Sequence, residues 1–404
     1  MATELLTLDE ARRRMLTNTI VLGSESAPLC AAEGRVLRRD IVTTLPWPRF
    51  DHSTMDGYAI ATSDLVGDGP FVLEVRGESA AGAPWREAIP NTSCRIFTGA
   101  PLPLGADAVV PQEHVRREGS HVHFRSAPRK GAFIRACGED LAIGETAMTA
   151  GKRLTPGACV LAAMLDADAV MVSKVPSVAL LPTGAELYKL GAKTPHGIPE
   201  SISYGISALA TQARAKARTY PIVPDDRDAT TAAIERAFAD ADLVVTIGGV
   251  SVGDHDHVRA ALSDVGASLD FFRVAIKPGK PLAFGRRGDK LFVGLPGNPS
   301  SAMVTFALFV MPLLRAMQGD LAPFGPRTKA RLATPVARSN DRLEVARASF
   351  QFESDGVLEA RAHSQQASGA ATSLAGSDGL ILVPAGAEPA PVGLVVDAHR
   401  WADF

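Results

Sequence analysis

The stretch LVVTIGGVSVGDHDH, residues 243–257, opens on five apolar or β-branched residues and breaks on two glycines. Such a run predicts a strand over Leu243–Ile247 that is buried on both faces. The glycines predict a tight turn at its carboxyl end, and residues 257–264 a helix. Strand, turn and helix in that order make the unit of a parallel α/β sheet. The chain repeats the unit. Apolar strands are expected at 178–181, 220–223 and 291–295, with helices at 202–217, 229–239 and 301–317. The reading is a largely parallel sheet with helices on both faces.

In such sheets ligands bind beyond the carboxyl ends of the strands, where turns and helix starts offer unpaired N–H groups. Three ends stand out. Gly248, Gly249, Ser251 and Gly253 let the backbone approach a ligand and fold its N–H groups into an anion nest; Asp256 either ligates Mg²⁺ or caps the helix. Pro296, Gly297, Asn298 and Pro299 form a rigid corner before an apolar helix. Lys277-Pro278-Gly279-Lys280-Pro281, beyond the run 271–276, holds two lysines three apart, which can converge on one polyanion. Each has a plainer reading, as a turn, a corner or an exposed basic loop. Together they favour a phosphate-rich small ligand. Glu186, Asp225 and Asp226 are placed to hold a divalent cation bridging phosphates, although Asp225-Asp226 also reads as a helix start.

Outward from this core, Thr7 and Glu10 form a capping box for a helix from Leu8. Short β-prone runs at 71–75, 94–98, 108–111 and 121–124 lie among Gly and Pro, as in a small inserted β-rich module. Residues 154–165 read as helix. After Gly319 the pattern returns to strands at 328–333, 343–351, 357–362, 379–383 and 394–397. The expected multidomain α/β organisation is a helical connecting domain (1–45 and 142–175), the inserted β-rich domain (46–141), the α/β domain (176–320) and a C-terminal β domain (321–404). The longest apolar run, 303–314, is too short to span a bilayer and reads as a buried helix.

With 42 basic against 44 acidic side chains in 404 residues, the net charge is −2. That gives no global electrostatic case for nucleic acid or an anionic membrane. The four cysteines are scattered without metal-ligand spacing, and the amino terminus lacks an apolar leader core, so a cytoplasmic protein is expected.

The loops of the amino-terminal half carry a resemblance. Ser53-Thr54-Met55-Asp56-Gly57-Tyr58-Ala59 resembles the S-x-M-D-G-Y-A signature of the molybdopterin molybdenumtransferases of the MoeA and gephyrin E-domain type. Residues 95–110, RIFTGAPLPLGADAVV, are similar to a second stretch of that family. Gly138-Glu139-Asp140, the 248–253 glycines, the 277–281 lysine turn and Leu295-Pro296-Gly297-Asn298-Pro299 follow in family order, then residues 342–347 and Gln366-Ala367-Ser368-Gly369 with Ser373-Leu374.

The resemblance implies the four domains above, with the α/β domain binding molybdopterin and the last domain barrel-like. It implies a homodimer whose active site is shared between subunits. The reaction implied is Mg²⁺-dependent insertion of molybdate into adenylylated molybdopterin with release of AMP. By position, Asp56 and Thr98 would face the partner subunit. Glu186, Asp225 or Asp226, and Asp256 would serve Mg²⁺ and the pyrophosphate link. Gly248, Gly249, Ser251, Gly253 and residues 296–299 would cradle pterin and phosphate, while Lys277, Lys280, Arg342 and Ser373 would hold the oxyanion. Four positions depart from the family pattern: His52 for Asn, Ala185 for Asp, Ile202 for Asn and Ile247 for Ser. They motivate a second expectation, a non-catalytic paralogue that carries the cofactor or acts as a scaffold, with molybdoenzymes or carriers as partners.

Overall fold

The computed structural model describes residues 5–17, 19–192, 194–250, 257–326 and 328–404. Alternation along Leu243–Ile247 sets the layers. Leu243, Val245 and Ile247 enter one apolar cluster and Val244 another. Val178 and Leu180 divide from Ala179 and Leu181 in the same way, as successive side chains on a strand must. The strands run in the order Lys216–Thr219, Ser177–Pro182, Leu243–Ile247, Lys290–Leu295, Pro281–Arg287, Ser268–Arg273. The first four are mutually parallel, Pro281–Arg287 runs against them, and Ser268–Arg273, antiparallel to it, returns to their direction. Ile202–Gln212 and Pro299–Met317 cover one face, Arg227–Asp240 and His257–Asp264 the other.

Pro299–Met317 is long and apolar enough to cross a membrane, yet 89% of its apolar window is buried inside the protein. It is the core helix. Pro312 has no N–H to return to Leu308, four residues earlier. The chain accommodates this with a π-helical turn at Phe306–Val310 and with Arg12, whose Nε donates to the Leu308 carbonyl at 2.8 Å. That bond ties down the first helix, Leu8–Thr17, whose Leu8, Ala11 and Met15 join the same cluster. Thr7 Oγ1 caps this helix by accepting from Glu10 N at 3.2 Å.

The connecting region holds the helix Pro156–Met164 and two antiparallel pairs, Ser24–Pro28 with Ala169–Ser173 and Ile41–Val42 with Thr146–Met148. The inserted module is a six-stranded sheet with its own core around Tyr58, Ile60, Phe71 and Val122. In the C-terminal region Leu343–Phe352 pairs with both Leu358–Ala362 and Gly379–Val383, which closes the sheet into a barrel. Ile276–Lys277 pairs in parallel with Leu343 and Glu344, so the α/β domain is stitched to the barrel at the lysine turn.

The strand expected at 220–223 is displaced. It is Lys216–Thr219, not 220–223, and the helix before it ends at Gln212, with Arg214 in the left-handed region at φ 55°. Lys216–Thr219 lies at the sheet edge with little buried surface, so it carries no apolar signal.

Candidate functional site

The carboxyl ends of the central strands meet in one place. Thr183 N donates to Ile247 O at 3.0 Å, and Gly248 N to Leu295 O at 2.9 Å. Gly248 has φ +94°, and a Cβ there would lie 2.9 Å from Thr183 O; a Cβ on Gly297 would lie 3.5 Å from Gly248 Cα. The positive φ and the nearby Thr183 carbonyl make Gly248 a position for glycine, and the Gly297 turn packs on it at ordinary van der Waals distance. Ser251, Gly253 and Asp256 lie outside the described residues.

Acidic groups border the same edge. Asp225 Oδ2 accepts from Ala185 N at 3.1 Å, which brings it beside the exposed Glu186. Asp226 is engaged differently: its Oδ1 accepts from Ala229 N at 2.8 Å and caps Arg227–Asp240. Asp226→Ala is therefore expected to cost about 1 kcal/mol, read as a lower urea midpoint. An unchanged midpoint would show that the cap contributes nothing to stability.

Because Pro281–Arg287 runs antiparallel to Lys290–Leu295, the 277–281 turn arrives at this same edge. Lys277 Nζ is 3.4 Å from the Glu344 carboxylate, whose side chain is 7% exposed. Lys280 is exposed and has no ion pair among the described residues. Arg342 follows directly, its Nε 3.5 Å from Asp341. Pro299 opens the core helix behind Asn298, and Ser300 N donates to Ser368 O at 3.1 Å, so this helix start is partly closed by the barrel's 363–376 loop. Ser373 is fully buried; its Oγ accepts from Arg347 Nε at 3.0 Å and donates to Ala370 O at 2.7 Å. The 342–347 stretch carries part of the family resemblance, but of its residues the resemblance assigns a role to Arg342 alone and none to Glu344 or Arg347. Two charged residues inside a strand whose neighbours Val345, Ala346 and Ala348 are buried were the available signal.

On the inserted sheet, Asp56 Oδ1 accepts from both Thr98 N and Thr98 Oγ1 at 2.9 Å. The Thr98 backbone N–H, then its hydroxyl, hold the Asp56 carboxyl below the usual carboxylate range. Among the described residues the hydrogen bonds of this pair stay within the inserted module. A carboxyl depressed by folding contributes stability that is complete above its unfolded pKa, about 3.9, and lost as pH falls through the lower folded value. The Asp56–Thr98 turn should thus stay closed at pH 4 and open only in stronger acid. Carboxyl NMR titration checks this; an Asp56 midpoint at the unfolded value would contradict it.

The four departures have distinct fates. Ile247 is 2% exposed in the core cluster and Ile202 packs on that cluster, so both face the sheet core. Ala185 still supplies the backbone donor to Asp225. His52 Nδ1 lies 3.3 Å from Phe50 O.

The fold and this edge define a multidomain α/β protein whose glycine turns, carboxylates and lysines gather at the carboxyl ends of its central strands. Residues 6–165 match the MoeA N-terminal region (domains I and II), 179–316 a probable molybdopterin binding domain, and 329–401 the MoeA C-terminal region (domain IV). The chain is 37% identical over 360 residues to a molybdopterin molybdenumtransferase of Haemophilus influenzae, covering 88% of each. It is 34% identical over 378 residues to one of Nostoc sp., covering 90% of this chain and 85% of that one. A crystal structure of the MoeA protein from Pyrococcus horikoshii superposes with a TM-score of 0.85 at 28% identity, over 98% of this chain and all of that one. The chain belongs to the MoeA family of molybdopterin molybdenumtransferases, enzymes of molybdenum cofactor biosynthesis. The relatives bear a transferase name, which favours the enzymatic expectation over the carrier or scaffold.

Proposed function

We propose that this chain inserts molybdate into adenylylated molybdopterin, releasing AMP. The observation that carries the reading is the convergence of the Gly248 turn, the 296–299 corner, the Glu186 and Asp225 carboxylates and the 277–281 lysine turn on one edge. Lys280 and Lys277, with Arg342 beside them, attract molybdate as point charges. Glycine and corner N–H groups orient the phosphates, and Ser373 orders the adjacent loop. Glu186 and Asp225 offer oxygen donors that fit Mg²⁺ together with substrate phosphates, with Asp256 as the third carboxylate and Asp226 as a cap. When bound, Mg²⁺ neutralises charge on the departing phosphate.

A homodimer is part of the reading, with Asp56 and Thr98 of one subunit turned toward the edge of the other. The family match of the 53–59 and 95–110 stretches that carry Asp56 and Thr98 supports it. We read the domains at 1–45 with 142–175, 46–141, 176–320 and 321–404, and the setting as cytoplasmic. Purified protein given adenylylated molybdopterin, Mg²⁺ and molybdate should release AMP and yield cofactor that activates an apo-molybdoenzyme. AMP release at background would overturn the assignment.

A further inference from the structure

Two strands of the inserted module, Gly57–Ile60 and Thr92–Ile96, pair antiparallel with Tyr58 opposite Arg95. Opposite residues share a sheet face, as do residues two apart along one chain. Tyr58 and Phe97 therefore flank Arg95, whose guanidinium carbon lies 5.1 Å from one ring centroid and 4.9 Å from the other. We infer that Arg95 is the positioning residue of Asp56 and Thr98: it clamps their two loops together and acts on the reaction through them. The inference rests on the proposed reaction, in which that pair faces the other subunit.

The clamp joins three segments. Arg95 Nη1 donates to the carbonyl of Gly57, the residue after Asp56, at 3.2 Å, and Nη2 to Gln112 Oε1 at 2.6 Å. Gln112 N in turn donates to Asp56 O at 3.0 Å. The carboxylate of Asp56 is held from the other strand by Thr98 N and Oγ1. Asp56 is thus tied at its carbonyl and at its carboxylate, and Arg95 connects the two ties. Thr98 is exposed and Asp56 half-buried, so polar bonds and not core packing set this geometry.

The chemistry of arginine suits the task. Among the described residues Arg95 forms no ion pair; its bonds go to a carbonyl and an amide oxygen, and its plane to two rings. A planar guanidinium can lie on aromatic faces and still donate within its own plane, which an ammonium cannot. An arginine that only stiffened the sheet would leave the chemistry of Asp56 untouched. The Asp56 carboxyl is lowered first by the Thr98 N–H and hydroxyl and then by the charge of Arg95, so its titration separates the two roles.

Arg95→Met and Arg95→Lys test the clamp, each followed by carboxyl NMR titration of Asp56 and by steady-state kinetics of AMP release. In both, the Asp56 midpoint should rise toward the ordinary carboxylate range. In both, kcat should fall roughly 10- to 100-fold, the scale for a misplaced group, with KM little changed, as for an interaction made only in the transition state. Gln112→Ala loosens one tie at an exposed side chain without touching the rings. It should move both readouts the same way, kcat by about threefold, and it decides the case if the Arg95 variants misfold. An unchanged Asp56 midpoint in Arg95→Met, or in Gln112→Ala where only that variant folds, overturns the inference. Full recovery of midpoint and rate in Arg95→Lys also overturns it, since Arg95 would then act as a charge and not as a clamp. A wild type that releases no AMP fails the proposed reaction, and the titrations still judge the clamp.

Discussion

Lys280→Met is expected to lower kcat/KM for molybdate by roughly 100-fold, the scale for removing one charged group that stabilises an oxyanion, while leaving the melting temperature unchanged. The two halves of that result have separate causes. The Lys280 ammonium is exposed and has no ion pair among the described residues, so the fold loses little with it. Lys277 supplies the contrast. It is the cation beside Glu344, and Lys277→Met leaves that buried carboxylate without its ion pair. The same variant should lose a comparable share of activity and also about 1–3 kcal/mol of stability. Raising ionic strength should weaken molybdate binding in the wild type more than in Lys280→Met, since exposed charges are screened. Wild-type activity in Lys280→Met would mean that the oxyanion binds away from this turn.

The fold was legible where burial left a period. Leu243–Ile247, 257–264, 108–111, 121–124 and 379–383 stand where apolar spacing put them, because each packs an apolar face. Ser24–Pro28 and Lys216–Thr219 escaped, since one is mostly exposed and the other borders water. The glycine and proline turns could be read as ending at one edge of one parallel sheet, yet which of them are neighbours depends on strand order, which residue patterns do not encode. Asp225 and Asp226 show the limit well. They are neighbours of the same chemistry, and only the backbone path decides that one caps a helix while the other borders the site. The role of Arg347 was beyond reach for a related reason: its partners lie 18 to 26 residues away, in a loop ordered by the barrel.

That buried arginine carries the second large effect. Arg347 is 0% exposed, and burial pushes its guanidinium below the usual range, against the opposing pull of Glu344. Its Nε donates to Ser373 Oγ at 3.0 Å, and its Nη2 to the Gln365 and Ala367 carbonyls at 3.2 and 3.1 Å. Gln366 adds bonds from its own amide to the Arg347 backbone. One side chain thereby holds the loop whose Ser368 and Ala370 carbonyls receive Ser300 N and Oγ at 3.1 and 3.3 Å. Arg347→Met fills much of the same volume but leaves two carbonyls and a hydroxyl without their donor. A loss of about 3 kcal/mol is expected, at the low end for breaking a buried charged network, because the loop recovers some bonds to water. In a multidomain chain the first unfolding transition, not a global ΔG, is the quantity to read. Limited proteolysis should cut the variant between residues 363 and 376 well before the wild type. Arg347→Lys keeps the charge without the fork and should fall between them. An unshifted first transition together with a protected loop in Arg347→Met would show that barrel packing alone closes this loop over the core helix, and that the guanidinium is a passenger.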